Sequence, residues 1–154
     1  MTSGAIYGNF KNRDELFRSL ADAHWAPIRP KVKPGATFAD VMHALAAATL
    51  AAMHDRRRAA VGRLTGMAYT LTQDELRTRV REVTAQSYAA GAAWLGSAID
   101  ARELPMAPEH LVRVIHALTE GLVFQRLLTP ELVPDEVFYE AFGALARRRH
   151  DAPE

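Results

Sequence analysis

The sequence predicts an all-α protein, a helical bundle of about six helices. Three observations support this fold class. No alternating run of apolar and polar β-branched residues extends beyond about four positions, as a half-buried strand would require. Alanine is abundant and, together with Leu, Arg and Glu, favours helix. Glycine and proline fall mostly between the periodic segments, where they act as breaks.

Composition excludes several classes of protein. The 154 residues are typical of one domain, and the absence of cysteine excludes disulfides and thiolate catalysis. The net charge is only +1, so the chain is not a polycation that coats nucleic acid. No apolar run reaches the roughly 18 residues of a membrane span, and no signal peptide is visible. We therefore expect a cytoplasmic protein with no membrane partner.

The first half of the chain contains three predicted helices. Asn12 and Glu15 have the spacing of a capping box and predict a helix that ends between about Trp25 and Pro30. Pro34-Gly35 predicts a turn. Thr37 with Asp40 predicts a second helix start, after which one helix face is apolar: Phe38, Val41, Met42, Leu45, Thr49 and Met53. Asp55 is expected to cap a short helix with an inner face of Val61, Leu64, Ala68 and Leu71.

The second half contains the longer helices. Thr72 with Glu75 is the clearest capping box and predicts a helix to about Arg102. Its predicted inner stripe, including the residues that widen it, is Leu76, Val80, Val83, Ser87, Tyr88, Trp94, Leu95, Ala98 and Ile99. Pro108 suits the first turn of the next helix, which runs to about Leu128. A last amphipathic helix carries Val137, Phe138, Ala141, Phe142 and Leu145.

The helix from Pro108 to Leu128 is apolar on most sides, so we expect it to be buried on more than one face. A two-fold homodimer would cover it, and the alternative is a central helix wrapped by its own chain. The residues predicted at the dimer interface are Leu111, Val112, Ile115, Leu122, Phe138, Phe142 and Leu145.

The first seventeen residues carry the most informative motif. They predict a short helix, a tight break near Asn9 and a capped second helix. Ile6 and Phe10 can anchor into a core, while Tyr7 and Lys11 offer groups for phosphate or base edges. The pattern suits a recognition helix, although a helical hairpin with polar surface residues would look similar.

This segment resembles the end of the helix-turn-helix and the start of the linking helix in the tetracycline-repressor (TetR) family of bacterial transcription regulators. The matching residues are Gly4, Ala5, Ile6, Tyr7, Phe10, Arg13, Asp14, Glu15, Leu16 and Phe17. The resemblance implies a DNA operator as partner and DNA contacts from Thr2, Ser3, Tyr7, Lys11 and Arg13. Gly8 departs from the family, which often has a larger residue there.

The family places two further helices before this motif, and this chain does not contain them. An internal methionine taken as the start codon, a shortened clone or a true truncation would each explain Met1. We expect the chain as given to bind DNA weakly or without specificity. On this interpretation residues 1–30 are a partial DNA-binding domain and residues 31–154 form a ligand-binding and dimerisation domain.

Family members respond to a small effector, and ligand pockets are mostly apolar with a few polar groups. The predicted ligand-binding residues are Phe38, Met42, Leu45, Leu50, Met53, Leu64, Met67, Tyr88, Trp94, Leu95, His116, Thr119 and Phe124. Ordinary core packing is the alternative for each of them. Arg113, His116 and Glu120 share one helix face, which is either a polar stripe at a pocket wall or dimer seam, or a solvent-facing strip.

No metal-ligand spacing, phosphate-binding glycine loop or nucleophile motif is present, so neither an enzyme nor a cofactor is predicted. The expected function is a ligand-responsive transcriptional repressor that a small hydrophobic effector releases from DNA. The alternative is a stand-alone α-helical dimer that binds small molecules and does not bind DNA.

Overall fold

A computed structural model describes residues 27–147 of the chain. This part of the protein is all-helical and contains no strand, which confirms the predicted fold class. The predicted helix from Asn12 and the motif before it lie outside the described residues. The five α-helices are α1 (Phe38–Ala51), α2 (Met53–Leu71), α3 (Asp74–Ala98), α4 (Pro108–Leu128) and α5 (Asp135–Ala146), with short 3-10 helices at Ala101–Glu103 and Pro130–Leu132.

Helix α1 begins at the predicted capping box. The Asp40 N–H donates to Thr37 Oγ1 at 3.2 Å, and the Thr37 N–H donates to the Asp40 carboxylate at 2.9 Å. The predicted turn precedes the helix, and Gly35 adopts a φ of +78° that suits glycine. A contact distant in sequence also holds this end, because the Phe38 N–H donates to the Glu103 carboxylate at 3.1 Å.

The capping box predicted at Thr72 and Glu75 is wrong. Helix α2 continues to Leu71, and Thr72 ends it with near-helical backbone angles. The Thr72 hydroxyl donates to the Tyr69 carbonyl at 2.8 Å, so it serves the end of α2 instead of the start of α3. Helix α3 begins one residue after Gln73, without a side-chain cap, and it ends at Ala98 because Ile99 is extended.

The apolar core lies at one end of the bundle. Helices α1 and α5 pack together there, against the C-terminal end of α3 and the N-terminal turns of α4. The predicted apolar face of α1 is confirmed from Phe38 to Thr49, whereas Met53 lies in the next helix. The core residues are Phe38, Val41, Met42, Leu45, Ala46, Leu95, Ile99, Leu111, Phe138 and Phe142.

The predicted inner faces of α2 and of the first part of α3 are wrong. In α2, Val61 and Leu71 are 77% and 73% exposed, and Leu64 and Ala68 are also exposed. The single buried residue of this helix is Arg56, because α2 is rotated so that its arginine face points inward. Asp55 lies inside the first turn and does not cap the helix.

Helix α3 differs from its predicted stripe in the same way. Val80, Val83, Ser87, Trp94 and Ala98 are exposed. Of the predicted stripe, Leu95 and Ile99 are buried, and Ala92, which was not predicted, is buried with them. The close approach of α3 to α4 sets this rotation: a Cβ on Gly91 would lie 3.2 Å from Val112 Cγ1.

Arg126 holds the loop that joins the last two helices, α4 and α5. Pro108 occupies the first turn of α4, as predicted. Near the end of α4, Arg126 forms an ion pair with Asp135 at 2.7 Å and donates to the Val133 carbonyl. One arginine therefore fixes the angle at which α5 returns to the core.

Candidate functional site

The candidate site centres on α4, whose polar stripe points toward neighbouring helices. Of the three residues that the sequence placed on one face of α4, Arg113 and His116 are exposed and Glu120 is partly buried, and each contacts a neighbouring helix. Arg113 and His116 contact Tyr88 of α3, and Glu120 contacts Arg63 of α2. The stripe thus joins the three longest helices.

Tyr88 is the centre of the contacts between α3 and α4. Its hydroxyl lies 2.7 Å from His116 Nδ1, with the two rings edge to face and their centroids 5.5 Å apart. The Arg113 guanidinium lies 5.8 Å from the centroid of the same ring, within cation–π range. Arg113 also donates to the Glu109 carbonyl at 2.8 Å, which holds its side chain along the helix.

A second polar cluster lies between α2 and α4. Arg63 pairs with Glu120 at 3.5 Å, and both side chains are largely shielded from solvent. Arg56 is 5% exposed in the same region. Burial lowers the pKa of Arg56, and the nearby Glu120 carboxylate opposes that change. Because an arginine keeps its charge in proteins, the Arg56 and Arg63 cations both act on the Glu120 carboxylate.

An open groove of about 490 Å³ lies between α3 and α4. Its lining combines arginines, called the rim, with alanines and Val80, called the floor. The lining residues are Arg77, Val80, Arg81, Thr84, Ala85, Tyr88, Ala89, Ala92, Glu109 and Arg113. Its volume lies in the range of small-molecule sites, and the groove is open to solvent along one side.

The predicted ligand-binding residues separate into four groups. Phe38, Met42, Leu45 and Leu95 are core residues, and Leu50 and Met53 pack against that core. Leu64, Met67 and Trp94 are exposed on the outer surface. Thr119 is buried and donates to the Ile115 carbonyl, and Phe124 is half-buried. Only Tyr88, with His116 bonded to it, lies at the groove.

The residues predicted at a dimer interface mostly pack within the chain. Leu111, Phe138 and Phe142 are fully buried in its own core, so their side chains have no surface left for a partner. Val112, Ile115, Leu122 and Leu145 are partly buried against that core. The outward face of α4 is a different set, in which Val114, Ala117, Gly121 and Leu128 are exposed at helical spacing.

Sequence reasoning singled out Arg113 but missed Arg77 and Arg81 at the groove and Arg56 and Arg63 between α2 and α4. Arg77 and Arg81 are one helical turn apart, as are the groove residues that follow them on α3. Arg56 and Arg63 are two turns apart on the inward face of α2. This spacing is the only signal in the sequence, and it is shared with ordinary solvated helix faces.

The predicted DNA-contacting residues Thr2, Ser3, Tyr7, Lys11 and Arg13 lie outside the described residues. Between residues 27 and 147, no cluster of His, Asp or Glu could hold a metal ion. No helix in that range is long and apolar enough to cross a membrane. Comparison of the chain with protein-family models, with curated proteins and with solved structures finds no match.

Proposed function

We propose that the chain is the ligand-binding and dimerisation part of a TetR-like transcriptional regulator, with a portion of its helix-turn-helix at residues 1–30. In this proposal a small effector binds among the helices and changes the affinity of a homodimer for its operator. A ligand can do so only if it binds the two states of the regulator unequally. The front motif of the sequence and the helical fold both support the proposal.

The observation that carries the proposal is the division of α4 into three faces. One face closes the core through Leu111. A second contacts α2 and α3 with polar side chains beside the groove. The third face is exposed and carries Val114, Gly121 and Leu128, with the polar His110 and Gln125 beside them. One rigid helix thus joins a ligand groove to a surface suited to a second copy.

The exposed face of α4, defined by Val114, Ala117, Gly121 and Leu128, is the proposed dimer surface. Its small central residues allow two α4 helices to approach closely, while Val114 and Leu128 supply apolar area at either side. A two-fold axis across this face would pair each α4 with itself, as an isologous interface requires.

Light scattering coupled to size-exclusion chromatography tests the dimer. We expect twice the chain mass for the unaltered protein and the chain mass for Gly121→Arg. Gly96→Arg is the matched control, because both glycines are exposed in helices and an added Cβ meets nothing within 4 Å at either position. A Gly121→Arg protein that stays dimeric would contradict the proposed surface.

The regulatory part of the proposal is tested by selection from random duplex DNA. The chain is compared with a form extended by the in-frame codons upstream of Met1. We expect the extended form to enrich a two-fold symmetric sequence and the chain alone to enrich none. A stop codon directly upstream of Met1, with no enrichment by the chain, would overturn the regulator and favour a ligand-binding dimer without DNA.

A further inference from the structure

We propose that the groove between α3 and α4 binds an amphiphilic organic anion, a carboxylate head on a hydrocarbon or aromatic body. That this ligand is the effector rests on the proposed function. Binding itself is argued from the charges and the apolar floor of the groove.

Positive charge dominates the rim of the groove. Arg77, Arg81 and Arg113 line it together with a single acid, Glu109. Asp74 pairs with Arg77 at 3.3 Å and balances part of its charge. Asp74 and Glu109 together offset two of the three cations, so the described groove keeps one net positive charge, with the Arg81 and Arg113 guanidinium groups as the attraction for an anion.

The Arg81 and Arg113 guanidinium groups both have N–H donors that can bind a ligand. Within residues 27–147, Arg81 makes no hydrogen bond and no ion pair, and Arg113 uses one N–H on the Glu109 carbonyl. The remaining N–H groups of a guanidinium form a planar fork that matches the two oxygens of a carboxylate. The aromatic face of Tyr88 holds Arg113 in place for such a contact.

The floor of the groove requires an apolar body behind that head. Ala85, Ala89 and Ala92 offer no side-chain hydrogen bond, and Val80 adds branched apolar surface that is 52% exposed. A bare inorganic anion would leave these groups in water. A ligand that covers them gains the free energy of removing apolar surface from solvent.

Tyr88 and Thr84 provide the polar contacts of the wall. The Tyr88 hydroxyl is already bonded to His116, so its ring is fixed at the groove. The Thr84 hydroxyl lies one turn from it on α3. These groups orient a ligand, whereas the arginines select its charge.

Isothermal titration calorimetry of the full chain tests the inference with three probes: octanoate, 1-octanol and acetate. Octanoate has the head and the body, 1-octanol has a neutral head on the same body, and acetate has the head alone. We expect octanoate to bind at least about tenfold more tightly than either of the others. Equal affinity for 1-octanol would overturn the charge selection, and equal affinity for acetate would overturn the apolar floor.

Variants locate the binding. Arg81→Gln with Arg113→Gln should weaken octanoate binding at least about tenfold, whereas Arg79→Gln should leave it within twofold. Arg79 is the matched control because it is exposed on the same helix and does not line the groove. Arg81→Gln alone removes no contact within the described residues, so it should fold normally and still weaken binding.

If Arg79→Gln loses as much affinity for octanoate as Arg81→Gln does, the effect is one of general charge and the site is overturned. The outcome is separate from the test of the proposed function. If octanoate does not bind, the groove proposal fails, while the dimer and DNA measurements above stand on their own.

Discussion

Two regions of the bundle are made of similar helices and bury very different side chains. The closed end comprises α1, α5 and the ends of α3 and α4 that meet them. The open side comprises α2 and residues 74–91 of α3. Helix α1 buries six residues, five of them apolar, whereas the longer α2 buries only Arg56. In α3, the buried residues Ala92 and Leu95 lie beyond the open side.

Because the two regions bury different amounts of apolar surface, they contribute differently to stability. Apolar burial is the main favourable term in folding, so within residues 27–147 the closed end supplies most of the apolar stabilisation. The open side has little buried apolar surface and therefore low local stability. The groove and both polar clusters lie along that side. A ligand bound there acts on the part of the molecule that is easiest to shift.

Phe142→Ala is the strongest test of the closed end. The Phe142 side chain is fully buried between α5 and α1. We expect its truncation to lower the free energy of unfolding by about 3–5 kcal/mol, measured by urea denaturation followed by circular dichroism. Val61→Ala on the open side is the control and should change it by less than about 0.5 kcal/mol. Equal losses would show that the two regions do not differ.

Glu120→Gln tests the polar cluster that joins the open side to α4. The change removes the carboxylate that pairs with Arg63 and that opposes the effect of burial on Arg56. We expect a loss of about 1–3 kcal/mol, less than for a fully buried pair because the Glu120 and Arg63 side chains keep 21% and 30% exposure.

Asp74→Asn is the control for this prediction. The Asp74 carboxylate is 92% exposed in its pair with Arg77, and such surface pairs contribute little. We expect no measurable change in the urea midpoint. A double-mutant cycle with Arg63→Gln measures the coupling of Arg63 to Glu120, and a coupling of zero would contradict the cluster.

The buried face of α1 could be predicted from the sequence, and the inward face of α2 could not. Along α1, strong apolar residues recur on one face and no other face competes, so periodicity identified the buried side chains. It did not identify their role, because Phe38, Met42 and Leu45 were predicted as ligand-binding residues, with core packing as the alternative, and they lie in the core. Along α2, Val61, Leu64 and Leu71 have the same periodicity and are nevertheless exposed. The inward face is decided by Arg63 and its partner Glu120, which lies far away in sequence on α4.

Little of the site was predicted from the sequence. Tyr88 and His116 were two of thirteen predicted ligand-binding residues, and they do meet. Arg81 did not stand out, because exposed arginines are ordinary on helices. Its place in a groove depends on how closely α3 approaches α4 at Gly91, which local sequence does not determine.

The smallest expected difference concerns helix starts. Thr37 caps α1 at the closed end, whereas Thr72 on the open side caps nothing at the start of α3. We expect Thr37→Ala to cost about 1 kcal/mol of the free energy of unfolding, and Thr72→Ala less than about 0.5 kcal/mol. Urea denaturation at neutral pH measures both, and a larger loss in Thr72→Ala would reverse the assignment of the caps.

The cost of Thr37→Ala should also depend on pH. The Thr37 hydroxyl, which donates to the Asp40 carboxylate at 2.7 Å, and then the Thr37 N–H hold the pKa of Asp40 below its usual range. Deprotonated Asp40 therefore stabilises the fold. This stabilisation is complete above the unfolded-state pKa of about 3.9 and is lost as the pH falls through the lower folded-state pKa.

Urea midpoints of the unaltered protein and Thr37→Ala should therefore approach each other below about pH 4, where the carboxyl becomes protonated. They should not coincide, because the Asp40 N–H still donates to Thr37 Oγ1 when the carboxyl is neutral. In an Asp40→Asn background the effect of Thr37→Ala on the midpoint should no longer vary across this range. A gap that stays constant in the unaltered background would show that the carboxylate does not contribute to the cap.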